Sequence, residues 1–190
     1  MKLAIFGGMF DPPHFGHLTL AERTLSILKA DRMLFVPAAS HPMKSEVGHS
    51  NAQDRFAMTS LAVKDHPLFS VSDIEINRPG VSYTVDTLEE IRKQYNPETI
   101  FLCIGADNAA SFHKWHRPER IVELCNIVVW KRSSDLVITS LFTDQMIMLD
   151  TPLIDVSSTQ IRQLVHSGKS IEGLVPDAVR EYIVEHSLYR

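Results

Sequence analysis

The sequence predicts an α/β fold in which helices cover both faces of a mostly parallel sheet. Its strand-like runs are almost continuously apolar rather than alternating, which is typical of strands buried on both faces. Amphipathic helical segments separate most of these runs, as in successive βαβ units. A glycine turn follows the first run directly, and doubly wound sheets bind ligands at such carboxyl ends of strands. We therefore expect a doubly wound, Rossmann-like sheet.

The elements can be placed in chain order. Strands are predicted at residues 3–6, 33–36, 100–104 and 127–130, and helices at 18–29, 53–64, 85–94, 118–124, 158–166 and 177–185. Asp86 with Glu89 is a capping signature, Pro118 and Pro176 mark helix starts, and Gly168 follows a helix end. The last two helices form a C-terminal helical portion of a single domain that spans residues 1–190.

Composition narrows the class of protein. Of the 190 residues, 44% are hydrophobic and 22% are charged, as in ordinary globular proteins, and the net charge of -4 argues against nucleic acid as a partner. Cys103 and Cys125 belong to no C-x-x-C pair, so neither a zinc site nor a disulfide framework is expected. There is no signal peptide and no run of 18 apolar residues, which predicts a cytoplasmic protein without a membrane segment. The oligomeric state is not predicted.

Residues 7–17, Gly-Gly-Met-Phe-Asp-Pro-Pro-His-Phe-Gly-His, form the first candidate site. A glycine turn exposes backbone N–H groups, and the following helix N-terminus favours an anion, so the segment suits a phosphate. His14 and His17 would donate hydrogen bonds to that phosphate. The alternative is an ordinary strand-turn-helix with capping histidines, but the coincidence of glycines, proline and both histidines favours the phosphate site.

Residues 155–162, Asp-Val-Ser-Ser-Thr-Gln-Ile-Arg, form a second helix start with anion-binding chemistry. If Ser157 or Ser158 caps the helix, the N–H groups of Thr159 and Gln160 remain unpaired, and Arg162 lies one turn on. The alternative is simple capping beside a solvated arginine.

The first segment resembles the Gly-x-Phe-Asp-Pro-x-His-x-Gly-His signature of the nucleotidylyltransferase superfamily, whose members transfer a nucleoside monophosphate from a triphosphate to an acceptor. The second resembles that superfamily's other signature, which holds the β and γ phosphates of ATP. The resemblance implies catalytic roles for His14, His17 and Arg162, and ATP binding by Gly8, Phe10, Ser158 and Thr159. Mg²⁺ would arrive with ATP, because it prefers phosphate oxygens and water; no metal ligand is assigned to the protein.

Residues 75–88 are similar to a stretch of bacterial nicotinate-mononucleotide adenylyltransferases, and locally predict a strand, a turn and a helix start. This resemblance implies that amides around Thr84 bind the nicotinate carboxylate and that Trp115 stacks on the pyridine ring, although Trp115 also fits a core position. Gly105 and Asp107, at the end of a strand, would bind ATP, with Asp107 accepting hydrogen bonds from the ribose hydroxyls; alternatively, Asp107 caps the next short helix. Residues 175–189 resemble the family's closing helix.

Residues 38–44, Ala-Ala-Ser-His-Pro-Met-Lys, depart from the family's Asn-rich turn and Pro-Pro-His-Lys or Pro-Pro-His-Arg sequence. Lys44 would keep the basic role toward the acceptor phosphate, and residues 40–51 are expected to form a mobile loop over the site. Together, these resemblances imply a Mg²⁺-dependent enzyme that joins ATP and nicotinate mononucleotide into deamido-NAD and pyrophosphate. The alternatives are nicotinamide mononucleotide or another phosphorylated acceptor, and a nucleotide sensor without turnover.

Overall fold

A computed structural model describes residues 1–39, 49–131, 141–150 and 155–190. Within these ranges, six parallel strands form one sheet in the order β3-β2-β1-β4-β5-β6. The strands are β1 (Lys2–Gly8), β2 (Arg32–Pro37), β3 (Phe69–Val71), β4 (Thr99–Gly105), β5 (Asn126–Lys131) and β6 (Met146–Asp150). This order is that of a doubly wound Rossmann-like sheet, and it confirms the predicted fold class.

Helices cover both faces of this sheet, as the apolar runs predict. They are α1 (Phe15–Leu28), α2 (Ala52–Val63), α3 (Thr84–Tyr95), α4 (Ala106–Ala110), α5 (Pro118–Leu124), α6 (Ser158–His166) and α7 (Asp177–Glu185), with 3₁₀ turns at Phe112–Lys114 and Thr143–Gln145. The core beneath α1, α2, α6 and α7 is separate from the core beneath α3, α4 and α5. No helix in the described ranges has both the length and the apolar content needed to cross a membrane.

The central strands divide their side chains between these two cores. In β1, Ala4 and Phe6 face the first core, whereas Leu3 and Ile5 face the second. All four are nearly inaccessible to solvent, because both sides of a central parallel strand are covered. This double burial produces the continuous apolar runs that made the inner strands predictable.

Several elements differ from the prediction. The edge strands β3 and β6 were not predicted; β3 has three half-buried residues, and β6 has only two buried residues, Met146 and Leu149, among five. The strand predicted to begin at Glu75 is wrong, because residues 74–76 form a turn. Helix α3 begins at Thr84, one residue before the predicted start, and its N-cap is Tyr83 rather than Asp86. The starts of α5 and α6 agree with the prediction.

The strand order also places the ligand crevice. The chain leaves β1 toward β2 on one side and later returns to β4 on the other, so the crossovers diverge between the carboxyl ends of β1 and β4. Open α/β sheets bind ligands at this switch point. Residues 7–17 begin there, at the last two residues of β1.

Candidate active site

The two predicted catalytic histidines stack on each other at the start of α1. His14 is the N-cap and His17 lies in the first turn, with their ring centroids 3.7 Å apart. The backbone N–H of His14 donates to Nδ1 of His17 at 3.2 Å. Because that nitrogen accepts, a neutral His17 carries its proton on Nε2, which makes Nε2 the hydrogen-bond donor toward a ligand.

Gly16 allows the first motif to pack tightly. A Cβ atom there would lie 2.9 Å from Nδ1 of His14 and 3.0 Å from a methyl carbon of Val156. Both separations are shorter than van der Waals contact, so a larger residue would displace His14 or push away the segment that precedes α6. The glycine therefore serves the contact between the two motifs.

Phe10 is part of the core rather than an exposed ligand contact. It is 2% accessible, its ring packs edge-on against Phe6 and His17, and its backbone has a left-handed φ of 49°. Its predicted contribution to nucleotide binding is thereby restricted to its backbone. The side chain instead packs edge-on against the ring of His17 and supports it.

The second motif docks directly on the first. Ser157, not Ser158, is the N-cap of α6 and accepts from the N–H of Gln160. Ser158 Oγ donates to the carbonyl oxygen of Pro12 at 2.8 Å, while Arg162 Nη1 donates to that of Asp11 at 2.7 Å. The two segments, almost 150 residues apart in sequence, thus form one site.

The guanidinium group of Arg162 has more N–H donors than this docking uses. Its Nη2 also donates to Oγ1 of Thr159 at 3.3 Å, and its side chain is only 17% accessible. A guanidinium group has five N–H donors, of which these two bonds use two. The guanidinium charge lies 4.0 Å from a carboxylate oxygen of Asp11 and beside the first turn of α6, whose amides favour an anion. Arg162 is therefore not simply solvated.

Asp11 is a buried hub that the sequence reasoning did not identify. Its carboxylate is 1% accessible and accepts hydrogen bonds from His49 Nδ1, from the N–H and hydroxyl of Ser50, and from the hydroxyl of Tyr189 at 2.6 Å. Burial alone would raise the pKa of Asp11, but these bonds outweigh it and hold the pKa below its ordinary value. Asp11 is therefore anionic and fixes the loop that leads to His14.

Arg55, on α2, is a second residue that the sequence reasoning missed. Its guanidinium group is buried and donates to the carbonyl oxygens of Met9, Ala38 and Ala39 at 3.1, 2.6 and 2.9 Å. It joins the loops that follow β1 and β2. Burial lowers its pKa, and the negative charge of Asp11 opposes that shift. The sequence did contain a signal for a buried arginine, because Arg55 lies on the apolar stripe of α2, three residues before Met58.

A cavity of about 300 Å³ opens at the switch point beside these motifs. Gly8, Thr84 and Trp115 all line it, so three residues predicted from distant segments come together. Trp115 is half-buried and packs on Phe112, which leaves part of its surface toward the cavity. Thr84 begins α3, and its N-cap Tyr83 makes no capping bond through its side chain. The helix start is therefore suited to an anionic group.

Glu75 adds a carboxylate to the wall of this cavity. Its Oε1 accepts from Oγ1 of Thr87 at 2.9 Å, and that hydroxyl accepts from Nη1 of Arg78 at 2.9 Å. Burial raises the pKa of Glu75, while the bond from Thr87 and the charge of Arg78 act in the opposite direction. The sequence analysis had assigned no role to this chain of contacts.

The other predicted site residues lie elsewhere. Gly105 is the last residue of β4 and Asp107 lies two residues further on, but neither is among the residues lining the cavity, where Asn108 is found instead. Asp107 is exposed, and the N-cap of α4 is Gly105, so Asp107 does not cap that helix. Lys44 falls outside the described residues, as does most of the predicted loop 40–51. Within the described part of the chain, no group of three or more His, Cys, Asp or Glu side chains is placed to hold a metal ion.

Comparison with known proteins gives a consistent result. Residues 5–164 match the cytidylyltransferase-like family model. The chain is 40% identical to "Probable nicotinate-nucleotide adenylyltransferase" of Roseiflexus sp. (strain RS-1), over 99% of this chain and 98% of that protein. It is 37% identical to the protein of the same name from Caldicellulosiruptor saccharolyticus, over the full length of both.

The fold matches solved structures as well. A Plasmodium falciparum nicotinic acid mononucleotide adenylyltransferase complexed with NaAD aligns with a TM-score of 0.81, over 99% of this chain and 97% of that one, at 16% identity. At that identity, the likeness supports the fold alone. The full-length sequence relatives and the family model are stronger evidence, and from them this chain belongs to the nicotinate-nucleotide adenylyltransferases of the cytidylyltransferase-like family.

Proposed function

We infer that this protein is an adenylyltransferase that transfers AMP from ATP to nicotinate mononucleotide, giving deamido-NAD and pyrophosphate in NAD synthesis. One observation carries the inference. Gly8, the last residue of β1, belongs to the first motif, on whose Asp11 and Pro12 the second motif docks, and it also lines the cavity that contains Thr84 and Trp115. A triphosphate on the motifs and an acceptor in the cavity would therefore meet at the end of β1.

The reaction needs positioning and charge stabilisation rather than a protein nucleophile. A phosphate oxygen of the acceptor attacks the α-phosphorus of ATP, and a new P–O bond forms as the bond to the β-phosphate oxygen breaks. The electron pair of that bond leaves with pyrophosphate. Correct placement of two reactants can remove roughly 7 to 11 kcal/mol of barrier, so the geometry of the two sites is the main contribution of the chain.

The two motifs would divide this work. His17, with Nε2 as donor, and His14 would stabilise the charge that develops on the transferring phosphate. Arg162 and the helix start at Ser158 and Thr159 would hold the β and γ phosphates as they depart. Hydrogen bonds to charged groups contribute about 1.5 to 3 kcal/mol each, so these few donors suffice for a large acceleration.

Acceptor recognition would take place in the cavity. The first-turn amides of α3 suit the nicotinate carboxylate, because a helix start favours an anion over a neutral amide. The face of Trp115 would stack on the pyridine ring. Replacing the tryptophan would accordingly affect acceptor binding more than the chemical step.

Mg²⁺ enters this scheme as part of the substrate MgATP. The carboxylate of Asp11, three residues before His14, already accepts hydrogen bonds from His49, Ser50 and Tyr189. Phosphate oxygens and water can complete the coordination of Mg²⁺ without a protein cage. We further propose that the enzyme acts in the cytoplasm, where its nucleotide substrates are found.

The test is pyrophosphate release from MgATP with saturating nicotinate mononucleotide, measured beside nicotinamide mononucleotide and a reaction without acceptor. We expect release with the acid form and little with the amide or without acceptor. Comparable release with the amide would change the assigned acceptor. Tight ATP binding without release in any reaction would instead support the nucleotide-sensor alternative.

A further inference from the structure

Tyr189, the second-to-last residue, contacts the loop that carries the catalytic histidines. Helix α7 ends at Glu185, and the chain then turns so that the N–H of Leu188 donates to the carbonyl oxygen of Ile183. This turn brings the Tyr189 hydroxyl to 2.6 Å from Oδ1 of Asp11. Neither phosphate-binding motif includes this residue, and the proposed mechanism does not use it.

The conformation of Tyr189 indicates that this contact is enforced by its surroundings. Its φ is +63°, in the left-handed region that bulky aromatic residues rarely adopt. Such a conformation persists only where packing and hydrogen bonds require it, and residues of this kind concentrate at functional sites. The ring packs on the core beneath α2 and α7, and the hydroxyl also lies 3.3 Å from Oγ of Ser50.

Through Asp11, the contact of Tyr189 affects both phosphate-binding motifs. Asp11 lies three positions before His14, and its main-chain oxygen accepts the hydrogen bond from Arg162. Tyr189 and Ser50 hold its carboxylate, so the loop is fixed from the side chain and the main chain at once. A shift of Asp11 would therefore displace His14 and Arg162 together.

We propose that Tyr189 is a positioning residue for adenylyl transfer, which acts through Asp11 to align His14 and Arg162 on the triphosphate. The inference rests on the proposed function. It also predicts that catalysis depends on Tyr189, although this residue lies outside both phosphate-binding motifs. Tyr189 itself contacts no substrate in this scheme.

Tyr182 provides a matched control. Its hydroxyl donates to Oδ1 of Asp54 at 2.9 Å, which is the same kind of tyrosine-to-aspartate bond. That bond joins α7 to α2 and involves no residue of the loop 7–17. Tyr182→Phe and Tyr189→Phe each keep the ring and remove one hydroxyl, so their comparison separates positioning of the loop from general support of the C-terminal helix.

We expect Tyr189→Phe to lower kcat about tenfold, since small misplacements of reacting groups have large effects on rate. The KM for nicotinate mononucleotide should stay within about a factor of two, because in the described part of the chain the side-chain hydrogen bonds among Asp11, Ser50 and Tyr189 involve no residue that lines the cavity. Ser50→Ala, which removes another bond to the same carboxylate, should lower kcat in the same way. Tyr182→Phe should change neither constant, and the Tm of each variant shows whether it is folded.

Equal kcat values in Tyr189→Phe, Tyr182→Phe and the unaltered protein would overturn the proposal, as would equal losses in both tyrosine variants. If the unaltered protein releases no pyrophosphate with any acceptor, the proposed function fails. The positioning role of Tyr189 is then tested by calorimetry, which measures the affinity of each protein for the Mg²⁺ complex of α,β-methylene-ATP. Weaker binding to Tyr189→Phe alone would support the positioning role. Equal affinities in all three proteins would refute it.

Discussion

The phosphate end and the acceptor end of this site are built in different ways. At the phosphate end, buried polar groups from α2, α6 and the C-terminus hold one loop through its main chain and one carboxylate. At the acceptor end, a cavity is shaped by apolar strand residues and by the start of α3. Rigid polar networks fix catalytic geometry, whereas a cavity selects its ligand by shape and charge. Changes at the first end should therefore affect kcat, and changes at the second KM.

The largest expected effect comes from His17 at the phosphate end. We predict that His17→Ala lowers kcat by about 10²- to 10³-fold, because it removes the Nε2 donor toward the transferring phosphate, while the KM for ATP changes little. Steady-state pyrophosphate release measures both constants. His66→Ala is the control, since His66 packs on Phe69 at the amino end of β3, whereas the site lies at the carboxyl ends of β1 and β4. Normal turnover in His17→Ala would remove this residue from catalysis and break the comparison.

Arg55 should give the next largest effect, and it acts on stability as well as on rate. Arg55→Met fills similar space but leaves the carbonyl oxygens of Met9, Ala38 and Ala39 without their donor. Unsatisfied buried acceptors are costly, so the free energy of unfolding should fall by about 3 kcal/mol. Urea unfolding measures this change.

Arg55→Lys tests whether the loss of stability comes from the lost hydrogen bonds or from the lost charge. It keeps the charge but cannot bridge three carbonyl groups, so we expect a large part of the loss to remain. Full stability in Arg55→Lys would mean that charge alone, and not the fork of the guanidinium group, holds the two loops together.

These residues also show what the sequence could predict. The central strands and most helices followed from apolar periodicity, because burial on both faces leaves a clear pattern. The short edge strand Phe69–Val71 did not, since three half-buried residues carry too little pattern to distinguish a strand from a loop. Local signals therefore placed the sheet's centre and left out its edges.

The site residues likewise fall into those that local sequence signals identify and those that only the fold brings together. His14, His17, Ser158 and Arg162 stand in contiguous segments whose spacing has chemical meaning, so they were identifiable before the structure was known. Asp11, Arg55 and Tyr189 act through contacts between residues far apart in the chain. Asp11 and Tyr189 lie in segments that carry the resemblance, but nothing in the sequence indicated their contact, whereas Arg55 is visible as a charge on an apolar helix stripe. The supporting network around the motifs thus needed the fold.

Asp11 allows a test of that network by pH. Its pKa is lowered on folding, so its stabilising contribution is fully present above the ordinary carboxyl pKa and is lost as pH falls through the lowered value. We predict that Asp11→Asn costs about 1 to 2 kcal/mol of unfolding free energy at neutral pH. The difference from the unaltered protein should shrink below about pH 4. Urea unfolding across this range measures it, and a difference that does not change with pH would show that the charge of Asp11 contributes nothing.

The smallest expected effect lies at the acceptor end and sharpens the comparison most. Glu75 places a carboxylate in the wall of the cavity, but its charge is partly compensated by Arg78 through Thr87. Glu75→Gln keeps an acceptor for the Thr87 hydroxyl and removes the negative charge. If the acceptor's own carboxylate binds in this cavity, the KM for nicotinate mononucleotide should fall about threefold, as expected for one weakened repulsion. The KM for nicotinamide mononucleotide should not change, and kcat should not change with either acceptor. An equal shift for both acceptors would mean that Glu75 affects the shape of the cavity rather than its charge, and acid recognition would then have to come from the amides at the start of α3 alone.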